Sequence, residues 1–168
     1  MARKQMDDLS DADYEALSNL RHALRQFMDF SASAAHEEGL PAQQHQALLA
    51  IKGHNGEEAM SVGLLAERLL IAPHSTTELV GRLVAAGYVS RTVDPNDKRR
   101  HTLALTQKAE AVLKRLTAIH LSEIREMAPR LIAILHGLQD GVELNGRANI
   151  GSQKSNPFET WMSNVKSR

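Results

Sequence analysis

The chain has no cysteine in its 168 residues. That excludes disulfides, thiolate zinc sites, iron–sulfur clusters and thiol redox sensing together. Aromatic residues are scarce at 4%, and with Ala and Leu abundant this favours helices over a sheet-rich sandwich. Long apolar runs are missing as well. No stretch approaches the roughly 18 apolar residues of a membrane span, and the N-terminal "MARKQMDDLSDADYEALSNL" has no apolar core for a signal peptide. The expectation is a cytoplasmic protein with no membrane partner. Excess charge of one sign is absent too: 20 bases balance 20 acids.

The balance hides an uneven distribution. Residues 1–60 carry ten acids and five bases, whereas residues 61–115 carry nine bases and five acids. The middle third is the basic part. Within it, "DPNDKRRHTLALT" puts Lys98, Arg99 and Arg100 side by side between two short extended runs. Three like charges on one turn repel each other. An external polyanion offsets that cost, although a solvated turn is the plainer alternative.

Periodicity places the elements. Ser10 with Asp13 forms the pattern of a capping box, and Leu17, Leu20, Leu24, Phe27 and Met28 then recur at helical spacing, predicting a helix over 11–36. Gly39 breaks it and Pro41 suits the first turn of a helix over 42–52, with Ala47, Leu48 and Ile51 inward. Ser61 caps a short third helix burying Leu64, Leu65, Ala66 and Leu69. Pro73 opens a fourth and Gly87 stops it. In this fourth helix Leu79, Val80, Leu83 and Ala86 share one face. His74, Thr77, Gly81 and Ala85 share the opposite one, with Glu78 beside them and Ser75 and Arg82 at the boundary.

The period then changes to two. "YVSRTV" and "HTLAL" read as strands of a hairpin around the turn formers Asp94 to Asp97. Thr106 caps a long helix with Ala109, Val112, Leu113, Leu116 and Ile119 inward. Pro129 ends or kinks it, and a last helix covers 130–138. From 139 to 168 the chain reads as a flexible tail, with a short docking helix at "PFETWMSNV".

Short helix, tight turn, helix with a polar start, hairpin with a basic tip: this order is a winged helix-turn-helix. Such a fold puts its second helix in the major groove of duplex DNA and its wing on the neighbouring minor groove or phosphates. The segment "LLAERLLIAPHSTTELVGRLVAAGYVSRTVDPNDKRRHTLALT" also resembles the MarR family of bacterial transcription regulators, over about residues 15–138. The wing pattern Asp97-x-Arg99 followed by Leu105-Thr106 is its most specific part. The resemblance implies that Arg99 enters the minor groove and Asp97 fixes the wing. It further implies a homodimer built by the N- and C-terminal helices, a near-palindromic operator, and a small organic effector that releases DNA. Ala109 departs from the family's usual Gly after the wing, and the C-terminal helix reads short.

The expected class is mainly α with a small β-hairpin wing. Residues 1–36 and 109–138 are dimerisation helices, 37–108 the DNA-binding domain and 139–168 the tail. His74, Ser75 and Thr77 are expected at bases, Arg82, Lys98 and Arg100 at phosphate. Ser75 and Glu78 also fit a capping box, and Asp97 fits either a turn or an ion pair to Arg99 or Arg91. No two of the eight histidines lie three or four residues apart, so no helix offers a ready metal pair. His36, His45 and His120 either line a ligand pocket or sit as satisfied structural histidines, and a metal site assembled from His45 and His120 is a further alternative. No cofactor is expected. Catalysis finds no footing, with no Gly-x-Ser-x-Gly, no phosphate-cradling loop and no acid pair on a rigid element. The rivals to a DNA-binding regulator are a metal-responsive regulator on the same fold and a protein–protein interaction module.

Overall fold

The structure is a computed structural model describing residues 9–93 and 101–146, with residues 139–146 by backbone alone. The elements run α1 (Asp11–Glu37), α2 (Ala42–Lys52), α3 (Val62–Leu69), α4 (Pro73–Ala85), β1 (Val89–Val93), β2 (His101–Leu105) and α5 (Gln107–Gly146). The chain divides into two compact units: residues 20–131, and residues 1–19 with 132–168. Among the described residues no helix is long and apolar enough to cross a membrane.

Three of the caps foreseen from the sequence form, at Ser10, Ser61 and Thr106. The Ser10 hydroxyl and backbone N–H both donate to Asp13 Oδ2, at 2.7 and 2.8 Å, and Asp13 N–H donates back to Ser10 Oγ. These bonds hold the Asp13 carboxyl below the usual range. Ser61 Oγ accepts from Leu64 N–H and opens α3, and Thr106 Oγ1 accepts from Ala109 N–H and opens α5. Pro41 stands at the N-cap of α2 with φ −55° and ψ 140° rather than within its first turn; a missing N–H costs no intrahelical bond at either place.

Three helices end in one motif. After α1, Gly39 N–H reaches His36 O and Leu40 N–H reaches Ala35 O; after α4, Gly87 and Tyr88 bond Val84 and Leu83 the same way. Both glycines have positive φ, 72° and 74°, the left-handed C-terminal stop that glycine adopts without strain. After α3 the same pair of bonds runs from Leu70 and Ile71 to Glu67 and Ala66, but here a leucine holds the left-handed position at φ 54°.

The core of the 20–131 unit joins Leu40, Leu48, Leu65, Leu79, Leu83, Val89, Leu103 and Leu116 with smaller residues between. Leu17, Leu24 and Met28 of the expected α1 stripe are exposed; the helix buries Ala23, Ser31, Ala34 and Ala35 instead. The small side chains let neighbouring elements pack closely, Leu20, Phe27 and Phe30 are half-buried, and Leu17, Leu24 and Met28 face outward. On α5 Ile119 is exposed and His120 buried in its place. Arg115 reaches Glu38 through Nε and Nη2, the latter at 2.7 Å, and holds that carboxyl below its usual range.

Pro129 neither ends α5 nor starts a new helix, for α5 runs on to Gly146. Proline removes one backbone bond there. The flanking "RLIAILHGL", rich in Leu, Ile and Ala, propagates the helix past the defect. The helix therefore also continues beyond residue 138, where the sequence reading begins a tail. Residues 147–168, with the expected docking helix, lie outside the described residues.

Candidate nucleic-acid interface

The helix-turn-helix pair is α3 and α4. Helix α4 buries Thr76, Leu79, Val80 and Leu83, and its opposite side is open. Its N-cap is Ala72, without a side-chain bond, and Pro73 is its first residue. The capping box expected of Ser75 and Glu78 therefore does not form, since both already lie inside the helix. Ser75 is half-buried at the edge of the face, and His74, Thr77, Glu78, Gly81, Arg82 and Ala85 are exposed. Ala86, expected inward, is also exposed, because the chain turns away at Gly87. Thr76, missed in the sequence, is fully buried and donates its hydroxyl to Ala72 O at 3.1 Å. A buried hydroxyl needs that internal acceptor. Thr77 donates likewise to Pro73 O at 3.0 Å, leaving its oxygen lone pairs outward.

The hairpin is antiparallel, in register from Val89↔Leu105 to Val93↔His101. It is bound at its base to both helices. Leu103 N–H donates to Met60 O at 2.8 Å and Ser61 bridges Thr102 just before α3. On the α4 side, Thr106 Oγ1 donates to Gly87 O at 2.8 Å, and Lys108 Nζ donates to Ala86 O at 2.8 Å while lying 4.4 Å from the centre of the Tyr88 ring. The end of α4 and the root of the wing thus form one hydrogen-bonded junction. Exposed cations among the described residues here include Arg82, on α4, and Arg91, on β1. Asp97, Lys98, Arg99 and Arg100, the wing residues singled out in the sequence, lie outside the described residues.

His45 and His120, far apart in sequence, do come together. Their rings are 4.9 Å apart, both side chains are buried, and Phe27 and Phe30 meet His120 edge-on. His120 donates from Nδ1 to Leu116 O at 2.6 Å, because a carbonyl only accepts. In the neutral ring Nε2 then accepts from the Ser31 hydroxyl at 2.7 Å. Ser31 had no signal in the sequence beyond its place among the small residues of α1. Among the described residues His45 Nδ1 has no hydrogen-bond partner. Burial first, and the neighbouring His120 second, hold the His45 imidazole below the usual histidine range. Among the described residues no group of three or more His, Asp or Glu is placed to hold a metal ion.

No curated protein matches the chain by sequence. The MarR family profile matches residues 38–100. Among solved structures the fold is similar to AbsC, a MarR family transcriptional regulator from Streptomyces coelicolor, with TM-score 0.63 and 17% identity over 84% of this chain and 98% of that one. It is similar to wild-type MarR in its apo form from E. coli, with TM-score 0.56 and 20% identity over 73% and 92%. It is also similar to a Staphylococcus aureus MepR variant bound to an oligodeoxyribonucleotide, with TM-score 0.55 and 17% identity over 80% and 95%. The profile match falls on the segment that holds the helix-turn-helix, and the fold is similar to that of these winged-helix proteins.

Proposed function

We propose that the protein is a transcriptional repressor that binds a near-palindromic DNA site as a homodimer and is released by a small organic ligand. The observation that carries this reading is the junction between α4 and the hairpin. It fixes an exposed polar helix face relative to the strands leading into the basic loop. A rigid link of this kind lets one surface engage two adjacent grooves in register. His74, Ser75 and Thr77 meet base edges. Arg82, Lys98 and Arg100 meet phosphate, and Arg99 enters the minor groove with Asp97 steadying the wing. The MepR relative, bound to an oligodeoxyribonucleotide, supports duplex DNA as the partner.

Large apolar side chains exposed on α1 and α5 support the dimer. The His45–His120 pair supports an effector site: an unpartnered nitrogen beside a second imidazole suits an organic anion, which accepts from a ring N–H, or a phenol, which can donate to a bare ring nitrogen.

Operator selection from random duplexes tests the reading, followed by titration of the selected site across salt concentrations. Arg99→Ala should weaken binding about tenfold and lower the salt slope by roughly one phosphate's worth. Unchanged affinity and slope would overturn the wing assignment. Protein that ignores every duplex in dilute buffer, with its fold intact, would overturn the function.

A further inference from the structure

Two residues on α4 are unexplained by the fold. Gly81 stands mid-helix, where glycine costs stability relative to alanine. Its φ is not positive, so the backbone does not require it. A Cβ built there would meet nothing within 4 Å among the described residues, so packing against them does not require it either. A bare backbone on an exposed face is useful when something outside must come close. Glu78 lies one turn before it on the same line. His74, Glu78, Gly81 and Ala85 follow one another at steps of four, three and four residues, all exposed and opposite the buried Thr76 and Leu83. Glu78 is the only acid on α4. On a surface that meets polyanionic DNA, a carboxylate is unfavourable unless it finds a donor.

The geometry points to Glu78 as a sequence-discriminating residue that accepts a hydrogen bond from the N4 amine of cytosine, with Gly81 allowing α4 to seat deeply enough for it to reach. This rests on the DNA-binding reading above and deepens it. A carboxylate only accepts. In the major groove guanine offers acceptors at N7 and O6 and thymine offers O4, so all of these repel it. Adenine has an amine at N6, but its N7 acceptor lies alongside. Cytosine alone offers a donor without an acceptor on the same edge. Glu78 therefore discriminates mainly by repulsion, weakening binding to most sequences and sparing one.

Selection from random duplexes with the wild-type chain and with Glu78→Ala, Glu78→Gln and Gly81→Ala tests this. The wild type should enrich cytosine at one position of each half-site, by roughly tenfold over other bases. Glu78→Ala should lose that preference alone, keep the rest of the site, and bind non-specific duplex more tightly. Glu78→Gln should move the preference toward adenine, whose N6 and N7 suit an amide. Gly81→Ala should raise the thermal midpoint by about 2–4 °C yet weaken the selected site tenfold or more. Identical selected sites for wild type and Glu78→Ala would overturn the inference while leaving DNA binding intact. So would a Gly81→Ala chain of undiminished affinity. A wild type that enriches no sequence would remove the DNA-binding reading, and this inference with it.

Discussion

At the scale of single residues, His45 has a measurable consequence for stability. Its imidazole is buried and faces His120, so the charged form is disfavoured in the folded chain. The unfolded chain takes up that proton near the ordinary value of 6.5. Below it, the unfolded state binds more protons than the folded one, and stability falls with falling pH. The loss begins as pH drops through about 6.5 and levels off once pH passes the lower folded value. Urea midpoints for wild type and His45→Leu, compared at pH 7.5 and 5.5, should show a smaller acid loss in the variant. Equal losses would mean that the imidazole is reached by water. Leu70 is the second case. It is 91% exposed and holds a left-handed φ that glycine holds after α1 and α4. That conformation costs a leucine about 1–2 kcal/mol, while glycine loses about 0.5–1 kcal/mol more through backbone entropy. Leu70→Gly should therefore gain a few tenths to about 1 kcal/mol in urea unfolding, with no contact sacrificed.

At the scale of elements, Pro129 is the feature to test. It is exposed within α5, where a proline costs up to about 3 kcal/mol against alanine. Pro129→Ala should raise the thermal midpoint by several degrees; a lower midpoint would show that the ring makes packing contacts worth more than the missing bond. The same residue shows what was legible in the sequence. Caps and stops were, because Ser10–Asp13, Ser61, Pro73, Gly87 and Thr106 are decided within four residues. The hairpin was, because a change of period is visible directly. Pro129 misled because a local rule lost to the helix-forming residues on either side. The open side of α4 was legible because its buried stripe is strong. Thr76 was not, because a threonine goes inward only where a spare carbonyl, here Ala72 O, takes its hydroxyl. The meeting of His45, His120 and Ser31 was foreseen only as two histidines, since their approach depends on how α1, α2 and α5 pack.

At the scale of the molecule, the outward placement of large apolar residues calls for a partner. In the 20–131 unit Leu24 and Met28 on α1 and Leu121 and Ile124 on α5 are exposed, and in the other unit Leu17, Ile132 and Leu135 are. On α5 of the 20–131 unit, Leu121, Ile124 and Ala128 advance by three- and four-residue steps, the repeat that seats one helix against another. Monomers seldom leave rows of this kind in water. A second copy of the chain is the occupant that also suits the proposed near-palindromic site, since two-fold symmetry in the protein would match two-fold symmetry in the site. Solution mass should then be twice 18.5 kDa, and Leu24→Glu or Ile132→Glu should reduce it toward the single-chain value. A dimer engages its second half-site as an intramolecular event, which commonly multiplies affinity by about 10²–10⁴. The monomeric variants should therefore bind the full operator weaker by that factor while their affinity for an isolated half-site hardly changes. A charged variant that keeps the double mass would show that these rows are not the contact. One that becomes monomeric yet keeps full operator affinity would show that one chain suffices for recognition.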